Sequence, residues 1–125
     1  MEQTVTLLQG ERPHYNWVGV YLIEGNELVL GPYVGKPSPH TRIPLNKGIC
    51  GAAATTRKTV VVDDVSADPR YMACSLETRS EIVVPIIRDG RVLGEIDIDS
   101  NLLAAFSDED RKLLEGVAEI LSARL

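Results

Sequence analysis

Several features are missing from this chain of 125 residues, and each absence excludes a class of protein. No apolar run approaches the roughly 18 residues that a membrane-spanning helix needs. The N-terminal stretch has neither the basic region nor the long apolar region of a secretory signal. Lysine and arginine number 13 against 18 aspartates and glutamates, and the net charge of −5 disfavours nonspecific binding to nucleic acid or anionic membrane. We therefore expect a cytoplasmic protein.

Cysteine and histidine are scarce, with two of each. In the cytoplasm both thiols are reduced by default, so a disulfide would be catalytic or redox-sensing rather than structural. The spacing of His14, His40, Cys50 and Cys74 matches no zinc site, and we predict no metal. The glycines match neither the dinucleotide-binding nor the Walker pattern, and we predict no cofactor.

What is present is an ordinary globular composition, with 44% hydrophobic and 25% charged residues. The length predicts one domain, residues 1–125, with a proper core. The predicted helices are residues 3–8, 48–56 and 106–125. The predicted strands are residues 15–23, 27–33, 41–44, 59–62, 81–87 and 91–99. This order indicates an α+β fold, a central antiparallel sheet with the N- and C-terminal helices packed on one face.

The last helix has a clear start signal and an apolar stripe. Ser107 is a good N-cap residue, and the three acidic residues after it suit the positive end of the helix dipole. Spacing predicts one apolar stripe made of Leu113, Leu114, Val117, Ile120 and Leu121.

Two aspartates alternate in the last predicted strand, although aspartate is depleted from strands. A two-residue turn in the preceding hairpin would place Glu81 and Asp97 on opposite faces. A three-residue loop, pairing Ile87 with Arg91, leaves one face wholly apolar or glycine. We choose the three-residue loop, because it keeps the apolar pattern. It pairs Glu81 with Asp97 and places Asp99 in the same row.

Acidic side chains placed opposite each other repel, so the row of Glu81, Asp97 and Asp99 needs an explanation. Such a row is stable if one acid is protonated or if a cation or ammonium group lies there. The alternative is a solvated face of the sheet, and we expect Glu95 to be a solvated member of the row.

The two thiols and two aromatic residues allow alternative interpretations. A free cysteine is usually a small buried hydrophobe, but the loop position of Cys74, seven residues before Glu81, favours exposure. A helix start lowers the pKa of a thiol, but the alanines after Cys50 predict close packing and burial. Trp17 and Tyr21 share one strand face, where they form either core packing or an aromatic wall for a small apolar or sulfur group.

Several segments, taken together, resemble the free methionine-(R)-sulfoxide reductases, which are single GAF domains. The resemblance runs from about residue 14 to the C-terminus. It is carried by NWVGVY (16–21), TRIP (41–44), GICG (48–51), AC (73–74), RSEIVVP (79–85) and GEIDIDS (94–100).

This resemblance implies an oxidoreductase that reduces free L-methionine-(R)-sulfoxide to methionine with electrons from thioredoxin. It implies Cys74 as the nucleophile. It implies a substrate site made of Glu81, Asp97, Asp99, Trp17 and Tyr21. GAF domains often dimerise, and by analogy we expect a homodimer through the terminal helices.

The chain departs from the family at the resolving thiol. Many members carry a cysteine immediately before TRIP, where this chain has His40. Either Cys50 or an external thiol then resolves the Cys74 sulfenic acid, and the alternatives stay open. The N-terminus is also shorter than in many relatives. The alternative function is a GAF ligand-binding or redox-sensing module without turnover. We favour the enzyme, because the sequence shows no attached output domain.

Overall fold

The computed structural model describes residues 1–72 and 77–125. In chain order, these residues form α1 (Glu2–Glu11), β1 (Trp17–Glu24), β2 (Glu27–Val34), β3 (Arg42–Pro44), α2 (Gly48–Thr56), β4 (Val60–Val62), a short 3-10 helix (Val65–Ala67), β5 (Ser80–Arg88), β6 (Arg91–Ser100) and α3 (Asp108–Ser122). None of these helices combines the length and the apolar character that crossing a membrane requires.

The strands form one antiparallel sheet in the order β3-β2-β1-β6-β5-β4. Both terminal helices pack on one face, where α1 contributes Val5 and α3 contributes Leu114 to a core that includes Ile82, Ile96 and Ile98. Full burial of each such aliphatic side chain is worth roughly 1.5–3 kcal/mol. The predicted α+β fold with both terminal helices on one face is confirmed.

The second helix, α2, covers the opposite face of the sheet. Its Ile49 and Ala53 pack with Tyr21 of β1 and Val83 of β5. A Cβ atom at Gly51 would lie 2.8 Å from the carbonyl oxygen of Leu45, so only glycine allows this close approach. The face covered by α2 is the one that carries the acidic row.

Most predicted elements are confirmed, with shifted ends. The bounds of α2 are as predicted, whereas α1 continues past Gly10 to Glu11. Ser107 caps α3 as expected, and with Asp110 it forms a reciprocal capping box. The apolar stripe of α3 is buried at Leu114 and Leu121, whereas Leu113 is 39% and Ile120 is 62% exposed.

The predicted three-residue hairpin loop is wrong. Arg88 pairs with Arg91, which leaves a two-residue turn. Asp89 has φ 54° and Gly90 has φ 76°, the pair of left-handed conformations that a type I′ turn needs. Asp-Gly is a favoured sequence for this turn, and its twist matches that of the strands.

A β-bulge nevertheless returns the acids to one face. The register shifts by one residue between Ile86 and Ile87, so that Ile86 pairs with Gly94. Glu81 then pairs with Asp99 rather than with Asp97. The predicted grouping of the acids on one face is confirmed, and the predicted pairing is wrong. The prediction assumed a continuous ladder, whereas an extra residue in one strand flips every later side chain.

Candidate active site

The acidic row lies buried at the centre of the sheet. Glu81 is 4% exposed, and Asp97 and Asp99 are each 3% exposed. Donor atoms of Cys50, Glu81 and Asp97 all lie within 4.8 Å of one another. The Cys50 Sγ donates a hydrogen bond to Asp97 Oδ2 at 3.3 Å. A thiol and two carboxyl groups at these distances can bind a small cation or the ammonium group of a substrate.

Burial changes the protonation of the two aspartates. It raises the pKa of Asp97, although hydrogen bonds with Glu81 and Cys50 partly offset the effect. It raises the pKa of Asp99 well above the usual range, and repulsion from Asp97 adds to this rise. The Oδ1 atoms of both aspartates are buried without a hydrogen-bond partner among the described residues. The raised pKa values favour a protonated carboxyl group in this row. A protonated carboxyl group can donate a hydrogen bond to an oxygen atom of a ligand.

Glu95 corrects a prediction, because it is fully buried rather than solvated. It lies on β6 opposite Pro85 of β5 and Tyr21 of β1, on the face that α2 covers. Neither carboxyl oxygen has a hydrogen-bond partner within residues 1–72 and 77–125. Burial raises the pKa of Glu95 well above its usual range, and the charge of Asp97 adds to the rise, while the nearby Cys50 thiol partly offsets it. From the sequence, only Glu95 was expected to be solvated, but β6 is a central strand of the sheet.

The two predicted aromatic residues lie beside the acids. Trp17 pairs with Asp99 across the β1–β6 ladder, and its ring centroid is 6.4 Å from that of Tyr21. The Tyr21 hydroxyl donates to the carbonyl oxygen of His40 at 2.7 Å. The Trp17 ring stacks on Tyr33 with centroids 5.8 Å apart. The rings of Trp17 and Tyr21 therefore lie beside the acidic row and also pack in the core on this face of the sheet.

Two glycines leave the space that the Trp17 ring occupies, and neither was identified from the sequence. A Cβ atom at Gly19 would lie 2.3 Å from the indole ring, and one at Gly35 would lie 2.7 Å from it. Gly35 also has φ 128°, a conformation that disfavours other residues. A glycine inside a strand often marks such a close approach, which was the available signal at Gly19.

Two cavities open next to the acidic row. The outer one, about 270 Å³, is lined by Asn16, Trp17, Lys36, Pro37, Ser38, Glu77, Thr78, Asp99 and Asn101. The inner one, about 20 Å³, is lined by Tyr21, His40, Ile43, Gly48, Ile49, Cys50, Met72, Glu81 and Asp97. The outer cavity is close to the roughly 300 Å³ at which small-molecule sites begin. Asp97 and Asp99, two residues apart on β6, thus line adjacent cavities.

The described residues include Cys50 but not Cys74. Cys74 lies outside the described residues, so its position relative to the acids stays a prediction. Cys50 is 5% exposed, which confirms the expected burial. That burial raises the pKa of the Cys50 thiol well above its usual range, and the nearby charges of Asp97, Glu95 and Glu81 raise it further. A buried thiol with a raised pKa forms little thiolate at neutral pH.

The fold and the site together define a class of protein. A six-stranded antiparallel sheet, with α2 above a buried cavity and the terminal helices behind it, is the arrangement of a GAF domain. The family model for the GAF domain matches residues 1–125.

Similar proteins of known name show which family of GAF domains this chain belongs to. The free methionine-R-sulfoxide reductase of Escherichia coli is 35% identical, over 98% of this chain and 76% of that protein. The type II free methionine-R-sulfoxide reductase of Thermoplasma acidophilum matches with a TM-score of 0.96 and 40% identity, over 98% of this chain and 87% of that one. The Neisseria meningitidis enzyme, solved with its substrate, has a TM-score of 0.94 and 44% identity, over 98% and 74% of the two chains. The chain belongs to the free methionine-R-sulfoxide reductase family.

Proposed function

We propose that this chain reduces free methionine-(R)-sulfoxide to methionine. The observation that carries the proposal is the buried acidic row on β5 and β6 beside Trp17, in a chain from this family. A relative with 44% identity has been solved with its substrate. We propose that residues 1–125 form a single GAF domain, which contains this site.

The site supplies two kinds of acid for one substrate. Glu81, Asp97 and Asp99 bind the substrate, an ionised carboxylate accepting hydrogen bonds from its ammonium group. A protonated member of the row, favoured by burial, donates a hydrogen bond to the sulfoxide oxygen. Trp17 and Tyr21 form the wall against the apolar methylthio end.

The redox step uses Cys74 as nucleophile, by resemblance to the family. The thiolate sulfur attacks the sulfoxide sulfur and forms an S–S bond while the acid protonates the sulfoxide oxygen. The protonated oxygen then moves to the Cys74 sulfur as the S–S bond and the substrate S–O bond break, which leaves Cys74 as a sulfenic acid and releases methionine. A thiol then condenses with the sulfenic acid, releasing water and forming a disulfide, which a dithiol reduces.

We propose that an external dithiol protein of the thioredoxin type performs this recycling directly. His40 cannot form a disulfide, and the burial and raised pKa of Cys50 make it a poor attacking thiol. A cytoplasmic location supplies such reductants and keeps Cys50 reduced.

A second candidate function is a GAF ligand-binding or redox-sensing module without turnover. The observation that favours it is the pair formed by His40 and a buried Cys50, because neither is suited to recycle an oxidised Cys74. This candidate predicts that methionine sulfoxide binds and is released unchanged.

Turnover of methionine-(R)-sulfoxide with thioredoxin or dithiothreitol separates the two functions. We expect Cys74→Ser to abolish turnover and keep substrate binding, because the acidic row is unchanged. The binding readout is fluorescence of Trp17, the one tryptophan of the chain.

The matched control is Cys50→Ser, for which we expect substantial turnover with dithiothreitol. Turnover at the wild-type rate by Cys74→Ser would remove Cys74 from the mechanism. A Cys50–Cys74 disulfide found by mass spectrometry, together with an inactive Cys50→Ser, would overturn direct recycling.

A further inference from the structure

The outer cavity contains a positive charge to which the proposed reaction assigns no role. Among its described lining residues, Lys36 is the one cation, and it shares the cavity with Trp17 and the acidic Asp99 and Glu77. A free amino acid carries an ammonium group and a carboxylate. The acidic row suits the ammonium group, whereas the carboxylate needs a positive partner.

The backbone and side chain of Lys36 are both held at the rim of this cavity. Its carbonyl oxygen accepts a hydrogen bond from Trp17 Nε1 at 3.0 Å. Its Nζ lies 2.6 Å from Glu77 Oε1. The other Glu77 oxygen, Oε2, accepts from Asn101 Nδ2 at 3.4 Å. Lys36 is thus tied to the proposed aromatic wall, with its ammonium group beside the opening.

The Lys36–Glu77 ion pair is easily exchanged. The two side chains are 75% and 56% exposed, and exposed ion pairs contribute little to stability. A carboxylate entering the cavity can replace Glu77 as the partner of Lys36 at small cost. Glu77 keeps a second contact with Asn101 when this happens.

We propose that Lys36 binds the α-carboxylate of the substrate by exchanging Glu77 for it. The proposal rests on the proposed function, since it requires an amino acid as the substrate. With an acid for the ammonium group and a cation for the carboxylate, the site selects a free amino acid over an internal residue of a peptide, which has neither charge.

Lys36→Met tests this assignment, with methionine-(R)-sulfoxide and its carboxamide as substrates. The amide keeps the ammonium and sulfoxide groups and lacks the carboxylate. We expect Lys36→Met to raise KM for the free amino acid about two- to fivefold, the effect of one exposed ion pair, with kcat within about twofold. We expect KM for the amide to stay unchanged. Lys36→Arg, which keeps the charge, should restore most of the affinity.

The matched control is Lys58→Met, an exposed lysine outside both site cavities, which should leave both KM values unchanged. Equal effects of Lys36→Met on the two substrates, or no effect on either, would overturn the assignment. If the wild type binds the substrate without reducing it, only the proposed function fails, and Trp17 fluorescence gives the same comparison as dissociation constants. A wild type that neither binds nor reduces it overturns both.

Discussion

At the scale of single residues, the carboxyl groups of β6 set what the site can do. Asp97, Asp99 and Glu95 point to one face of a central strand, and Glu95 is fully buried there. Asp97 and Asp99 line the two cavities, which gives them access to a ligand. Glu95 lines neither cavity, so its burial has an energetic cost without a ligand to offset it.

We expect Glu95→Leu to stabilise the protein above neutral pH. The pKa of Glu95 is raised by burial in the folded state, so the folded state holds a proton that the unfolded state releases. Wild-type stability therefore falls as pH rises from the unfolded pKa, about 4.3, towards the folded pKa. At pH 8 the variant should be more stable by roughly 1–3 kcal/mol, the cost of a buried unpartnered polar group.

Urea denaturation at pH 5 and pH 8 measures this effect. The advantage of Glu95→Leu should be smaller at pH 5, because both states of the wild type then hold more of the proton. Glu24→Leu, at an exposed strand end, is the control for added apolar surface. A wild type that matches Glu95→Leu in stability at pH 8 would contradict this account of Glu95.

At the scale of elements, one carboxylate joins the start of α3 to the segment before β1. The Tyr15 hydroxyl donates to Asp110 Oδ1. The Ser107 backbone N–H and hydroxyl donate to Asp110 Oδ2 at 2.9 and 2.8 Å. Burial alone would raise the pKa of Asp110, but the hydrogen bonds from Tyr15 and Ser107 outweigh it and lower the pKa.

We expect Asp110→Asn to lower stability at pH 7 by roughly 1–2 kcal/mol, because it weakens the capping box and the bond to Tyr15. A lowered pKa means that this contribution is present above the unfolded pKa, about 3.9, and is lost as pH falls through the folded pKa. Thermal unfolding from pH 7 to pH 3 should show the two proteins converging. Asp108→Asn, exposed in the same turn, is the control. A constant difference across this range would exclude a role for the Asp110 charge.

At the scale of the whole molecule, the helices on the back of the sheet leave apolar side chains exposed. Leu7 of α1 is 63% exposed, and Leu113 and Ile120 of α3 are 39% and 62% exposed. Leu113 and Ile120 are seven residues apart and thus lie on one side of the helix. We propose that these residues form the homodimer interface, since neither helix takes part in the acidic row.

Sedimentation velocity tests the proposed dimer. We expect the wild type to sediment as a dimer and Ile120→Asp as a monomer at the same concentration, because a charge in an apolar interface is costly. Glu24→Gln, at the far end of β1, should remain a dimer. A monomeric wild type would refute the proposed dimer, and a dimeric Ile120→Asp would exclude this interface.

Local signals in the sequence were sufficient for much of the fold. The Ser107 cap, the bounds of α2 and the α+β arrangement follow from capping, turn and periodicity patterns that act over a few residues. The grouping of Glu81, Asp97 and Asp99 also follows, because a strand that buries one apolar face has only one acceptable register parity.

The tertiary structure decided those features that depend on contacts between segments far apart in the sequence. The burial of Glu95, the indole of Trp17 against Gly19 and Gly35, and the pair Lys36–Glu77 each require elements far apart in sequence to meet. Sequence by itself determined which side chains share a face. Only the packed structure decided which of those faces are dry, because desolvation depends on what covers a side chain and not on its neighbours in the chain.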